Sequence, residues 1–141
     1  MMNVSKQFAR VPGSNAVTAL AGPSVYVVDE EEGMTELYTL FLKGTGCVVR
    51  GYNHRLDALA ALMADRTRPD LLIMDYFGDS MPVDQFLQRC LVIHPSLQIL
   101  VASELRPRDV ISLCVRPNRS IQKPFTADEF VEEVRAALSN E

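Results

Sequence analysis

The chain has 141 residues, 48% of them hydrophobic and 23% charged, a make-up that fits one globular domain with its own core and excludes a disordered or fibrous chain. Its 14 Lys and Arg against 18 Asp and Glu leave a net charge of -4, which argues against a nucleic-acid binder needing a basic face. No run approaches the roughly 18 apolar residues of a membrane span, and the widely spaced Cys47, Cys90 and Cys114 read as reduced thiols of a cytoplasmic protein.

Residues 1–23 carry Lys6 and Arg10 but no acid, and Pro12, Gly13, Ser14 and Asn15 interrupt any hydrophobic region, so the segment reads as a flexible tail rather than a secretory leader. The domain proper is expected over 24–141. Ser24–Val28 is a β-branched and aromatic run that predicts a first strand ending at Asp29 and Glu30. Met34, Leu37, Tyr38, Phe41 and Leu42 then recur at helical spacing, and Gly44 and Gly46 can end that helix in left-handed geometry. Cys47, Val48 and Val49 predict a second strand. Leu56, Leu59, Ala60, Leu62 and Met63 give a second helix its apolar stripe, and Pro69 closes the connection after it.

Leu71–Met74 is apolar at consecutive positions, as a strand covered on both faces requires, and it stops on Asp75. A third helix is expected over about Val83–Ile93, with Phe86, Leu87, Cys90 and Leu91 inward. A fourth strand covers Gln98–Ala102, and a weakly patterned helix follows near Pro107–Val115. The short fifth strand, Ser120–Gln122, ends at Lys123-Pro124-Phe125. Thr126 with Glu129 three residues later forms a capping box for the last helix, whose stripe is Phe130, Val131, Val134, Ala137 and Leu138.

Five strand–helix repeats with short connections imply right-handed crossovers and an α/β fold: a five-stranded parallel sheet with helices on both faces. In such a sheet, chemistry gathers at the carboxyl ends of the strands. Those ends carry Asp29 and Glu30, Asp75, Ser103, and Lys123. Converging carboxylates need a hard cation between them, and Mg2+ suits oxygen ligands and phosphate chemistry. Asp29 and Glu30 read as metal-side acids, Asp75 as a carboxylate nucleophile that would form an acyl phosphate, and Lys123 and Ser103 as contacts to phosphoryl oxygens.

At this point the sequence resembles the receiver domains of two-component response regulators, single (βα)5 three-layer sandwiches of the flavodoxin-like type. The resemblance covers Ser24 to about Ser139 and rests on VYVVDEEEG, LLIMD, QILVAS and IQKPF. It implies that Asp29 and Glu30 bind Mg2+, that Asp75 both ligates the metal and accepts phosphate, and that Ser103 and Lys123 contact the phosphoryl group. It implies further that the backbone carbonyl of Phe77 is a metal ligand and that the peptide before Pro124 is cis. A histidine kinase or histidine phosphotransfer protein is the implied donor, with an unidentified downstream protein as partner. Homodimerisation through the fourth helix, fifth strand and last helix is also implied, and enzymatic activity on a separate substrate, nucleic-acid binding and membrane insertion are not.

Several positions depart from the family pattern. Asp79 stands where a proline is usual, Met81-Pro82-Val83-Asp84 follows late enough to suggest a lengthened loop, and Gln85 replaces a glycine. Ser120 stands where many receivers have an aromatic residue whose inward swing reports phosphorylation. The chain stops at Glu141, so a stand-alone receiver acting by protein contact is the leading expectation. A pseudo-receiver that binds a partner constitutively is the alternative. A phosphohydrolase is disfavoured, since Phe77 occupies the place of the second acid such enzymes need, and a nucleotide-binding domain lacks its glycine-rich phosphate loop. His54 and His94 flank helix ends and read as neither metal ligands nor phosphodonors, and the region of Arg106, Arg108, Arg116, Arg119 and Lys123 reads as solvated surface or as a docking face for an acidic partner.

Overall fold

The computed structural model describes residues 22–64, 68–77, 81–113 and 119–139. Residues 1–21 of the expected tail, the loop residues Gly78 and Asp79, and Cys114 and Arg116 lie outside these. The elements alternate: β1 (Ser24–Val28), α1 (Met34–Phe41), β2 (Val48–Tyr52), α2 (Arg55–Ala64), β3 (Leu71–Asp75), α3 (Val83–Ile93), β4 (Gln98–Ser103), α4 (Pro107–Leu113), β5 (Arg119–Gln122) and α5 (Ala127–Ser139). The strands form one sheet in the order β2-β1-β3-β4-β5, every pairing parallel. The expected fold class is therefore the observed one.

Period-two alternation along the central strands divides the core into two halves. Tyr26 and Val28, Leu72 and Met74, and Ile99 and Val101 face α2 and α3, where Ala58, Leu59, Leu62, Phe86, Leu87 and Cys90 meet them. Val25 and Val27, Leu71 and Ile73, and Leu100 and Ala102 face the other way, against Tyr38 and Leu42 of the α1 region and Phe130, Val134 and Ala137 of α5. Because both faces are covered, β1, β3 and β4 are apolar at nearly every position.

Two elements differ from expectation. The second strand starts at Val48 and runs to Tyr52, so it includes Arg50 and Gly51; these are accommodated because β2 is an edge strand, half-exposed along its length. Gly51 also sits close to α1, since a Cβ there would lie a tight 3.0 Å from the Thr35 Cβ. On α2 the buried residues are Arg55, Ala58, Leu59 and Leu62, whereas Leu56 and Met63, assigned to the stripe from sequence, are 55% and 69% exposed. The inward face is rotated by one residue and begins on a charge.

Candidate functional site

The chain leaves β1 for the β2 edge and returns for β3 on the other side of β1, so the carboxyl ends of β1 and β3 border the crevice where strand order reverses. Asp29 follows β1 and Asp75 ends β3, bringing two carboxylates to that crevice. Lys123, just past β5, reaches across β4 toward both. Its Nζ stands 3.3 Å from Asp29 Oδ2 and 3.6 Å from Asp75 Oδ1, so one ammonium bridges the two acids. The Lys123 side chain is 12% exposed and that of Asp75 15%, while Asp29 is fully enclosed.

Each acid is held by more than the lysine. Asp29 donates its backbone N–H to the Tyr52 carbonyl (3.1 Å); its Oδ1 accepts the Glu31 N–H (3.0 Å) and its Oδ2 the Tyr38 hydroxyl (3.2 Å). The Tyr38 ring stacks on Phe130 at 5.0 Å and 9°, and Phe125 stacks on Phe130 in turn at 5.4 Å and 14°. Burial, then the Asp29 charge, push the Tyr38 hydroxyl far above its ordinary value, so it stays protonated and remains a donor. The Asp75 carboxyl is raised above the ordinary range, first by burial and then by the charge of Asp29, against the lowering pull of Lys123, the Phe77 N–H and Arg55.

Ser103, at the end of β4, is fully buried; its hydroxyl accepts the Leu105 N–H (3.0 Å), and its carbonyl accepts the Lys123 N–H (2.8 Å). The Lys123–Pro124 peptide is cis. Glu30 is exposed, and Phe77 is half-exposed with its ring edge-on to Tyr76. Among the described residues, no three His, Cys, Asp or Glu side chains are gathered to hold a metal ion. Asp29, Asp75 and Lys123 are thus in contact, Ser103 is tied to them through backbone, and Glu30 does not join a ready-made acidic cluster. The donors nonetheless fit Mg2+ in kind: they are hard oxygens, with more negative charge than one ammonium balances.

Two participants were missed from sequence. Tyr38 was assigned to the apolar stripe of α1, yet its hydroxyl supports Asp29. Arg55 was not singled out at all, yet it is 3% exposed and lies beneath the loop after β3. Its NH1 donates to the Met81 carbonyl (2.6 Å), and its NH2 to the carbonyls of Asp75 (2.6 Å) and Tyr76 (3.0 Å). Its position three and four residues before Ala58 and Leu59, on the buried stripe, was the available signal.

No protein-family model and no curated protein matches the sequence. Solved structures do. A CheY-like response regulator receiver domain protein from Methanospirillum hungatei JF-1 superposes with a TM-score of 0.72 at 17% identity, over 82% of this chain and 93% of that one. The chain has the fold of a response-regulator receiver domain. The receiver domain of an HD domain-containing protein from Pseudomonas fluorescens Pf-5 superposes equally well, with a TM-score of 0.71 at 22% identity over 82% of this chain and 94% of that. A chain of the CheX-CheY-BeF3-Mg2+ complex from Borrelia burgdorferi reaches 0.78 at 13% identity, over 98% of this chain and all of that one. The receiver fold is thus retained at identities where side chains have largely changed, and the crevice described above lies at its strand ends.

Proposed function

We propose that this protein is a response-regulator receiver that accepts a phosphoryl group on Asp75 from a histidine kinase or histidine phosphotransfer protein, in the cytoplasm, and thereby changes its affinity for a protein partner. The observation that carries this reading is the Lys123 ammonium held between Asp29 and Asp75 at the switch point of a receiver fold. In the transfer, a carboxylate oxygen of Asp75 bonds to phosphorus as the phosphorus–nitrogen bond of a phosphohistidine breaks, and the imidazole nitrogen keeps the electron pair. Lys123 turns from the carboxylates to a phosphoryl oxygen. The Ser103 hydroxyl, whose oxygen already accepts from Leu105, has a proton to donate to another.

Asp29, Glu30, Asp75 and the Phe77 carbonyl would hold Mg2+, with Glu30 turning inward from solvent. The ion supplies charge neutralisation between these oxygens and the incoming phosphoryl group. The Borrelia CheX-CheY-BeF3-Mg2+ complex supports a metal-dependent site and a protein partner for the fold. No chemistry on a separate substrate enters this reading, so the protein is a signalling acceptor rather than an enzyme; the α4-β5-α5 face is the surface through which it would form a homodimer.

A second reading, the constitutively binding pseudo-receiver, is favoured by Ser120. A serine offers no ring to swing inward, and its buried hydroxyl has no hydrogen-bond partner among the described residues. Incubation with Mg2+ and acetyl phosphate, followed by intact-mass measurement, separates the two. One added phosphoryl group on wild type and none on Asp75→Asn is expected. An unmodified wild type with acetyl phosphate and with kinase donors alike would establish the pseudo-receiver.

A further inference from the structure

Arg55 sits at the first position of α2, where an arginine is ordinarily solvated, yet it is 3% exposed. A guanidinium taken out of water is tolerated only where its donors are matched, and here both terminal nitrogens meet backbone carbonyls. Those carbonyls belong to the two ends of one loop: Asp75 and Tyr76 where the chain leaves β3, and Met81 just before α3. The Phe86 ring, with its centroid 6.0 Å from the guanidinium carbon, lies against the same group from α3. A planar fork can span both loop ends at once, which the single point charge of a lysine cannot.

One of these bonds bears directly on the acceptor. The Tyr76 carbonyl and the Phe77 N–H are opposite ends of a single planar peptide unit. The carbonyl end is held by Arg55, and the N–H end favours the ionised form of the Asp75 carboxylate. The Asp75 carbonyl is bonded to the same NH2 group that holds this peptide. Arg55 therefore fixes both the main chain of Asp75 and the peptide whose N–H favours its charged carboxylate.

We propose that Arg55 is the positioning residue for phosphoryl acceptance at Asp75, acting through the Tyr76–Phe77 peptide. The proposal rests on Asp75 being the acceptor. Arg55→Lys keeps the charge and removes the fork. Its rate of phosphorylation by saturating acetyl phosphate with Mg2+, per folded molecule, is expected to fall about 10- to 100-fold, the scale of a displaced reacting group. The Phe77 amide proton, no longer held beside the carboxylate, is expected to move upfield in the NMR spectrum and to exchange faster. Val134→Ala, in the opposite half of the core, serves as a stability control and is expected to phosphorylate at the wild-type rate with the Phe77 amide unmoved.

If Arg55→Lys does not fold, Phe86→Leu loosens the guanidinium without removing it and is expected to slow phosphorylation several-fold relative to Val134→Ala. An Arg55→Lys rate and Phe77 signal equal to wild type overturn the proposal, as does equality of Phe86→Leu with Val134→Ala in the second case. A wild type that takes no phosphoryl group overturns the acceptor reading itself, which is a different result from an active wild type with an unaffected variant.

Discussion

Two carboxylates sharing one ammonium leave the site short of positive charge, and Asp75 registers the deficit. Its carboxyl is raised by burial and by Asp29 more than Lys123 lowers it. A carboxyl with a raised value in the folded state is favoured in its protonated form by folding, so its ionised form lowers stability at neutral pH. That loss is recovered as the pH falls through the folded-state value toward the ordinary carboxylate range. Asp75→Asn is accordingly expected to unfold at a higher temperature than wild type at pH 7, with the gap closing in acid. Thermal unfolding over a pH series checks this, and a wild type more stable than the variant at pH 7 would contradict it. Added Mg2+ is expected to narrow the gap from the other side, by binding the folded wild type.

At the level of elements, α5 was the most legible. Thr126 and Glu129 predict a reciprocal cap, and both bonds are present: the Thr126 N–H donates to Glu129 Oε1 at 2.8 Å and the Glu129 N–H to Thr126 Oγ1 at 3.1 Å. Thr126→Ala should lower stability by about 1 kcal/mol, measurable by urea denaturation with an unchanged slope. Helix α2 was legible in place but not in phase. Periodicity was read from hydrophobic residues alone, so a stripe whose first member is a buried arginine was assigned one residue late. The same blindness hid Tyr38, because a ring explains its position in α1 completely and leaves its hydroxyl unremarked. Strand-ending residues were legible for the opposite reason: Asp75, placed after four apolar residues, has no role in a core. What the pattern of polar and apolar residues cannot express is a polar group satisfied by backbone carbonyls, and Arg55 is such a group.

For the molecule as a whole, the sheet keeps two cores apart while gathering one site. Residues on alternate faces of β1 and β3 pack against different helices, yet Asp29 just after β1 and Asp75 at the end of β3 come to the same crevice. The order β2-β1-β3-β4-β5 was not written in any local segment. It agrees with the near-continuous apolarity of β1, β3 and β4, which suits interior places, whereas the polar residues of β2 suit an edge. Ser120 lies on β5, the other edge strand, paired opposite Val101 of β4, and its buried hydroxyl has no hydrogen-bond partner among the described residues.

Asp75, the proposed acceptor, ends the innermost strand. Val25–Val28 of β1 flank Leu71–Met74 in register on one side, and Gln98–Ala102 of β4 flank Leu71–Asp75 on the other. Backbone bonded on both sides is released only when the sheet itself opens, so the amides of Leu72, Ile73 and Met74 are expected to be among the slowest in the protein to exchange with deuterium in solvent. Exchange at these amides as fast as at the β2 edge would refute that ordering. The consequence is temporal: the strand beneath Asp75 is renewed on the clock of global unfolding, while any response to a phosphoryl group must run on the faster clock of the segments that follow the strands.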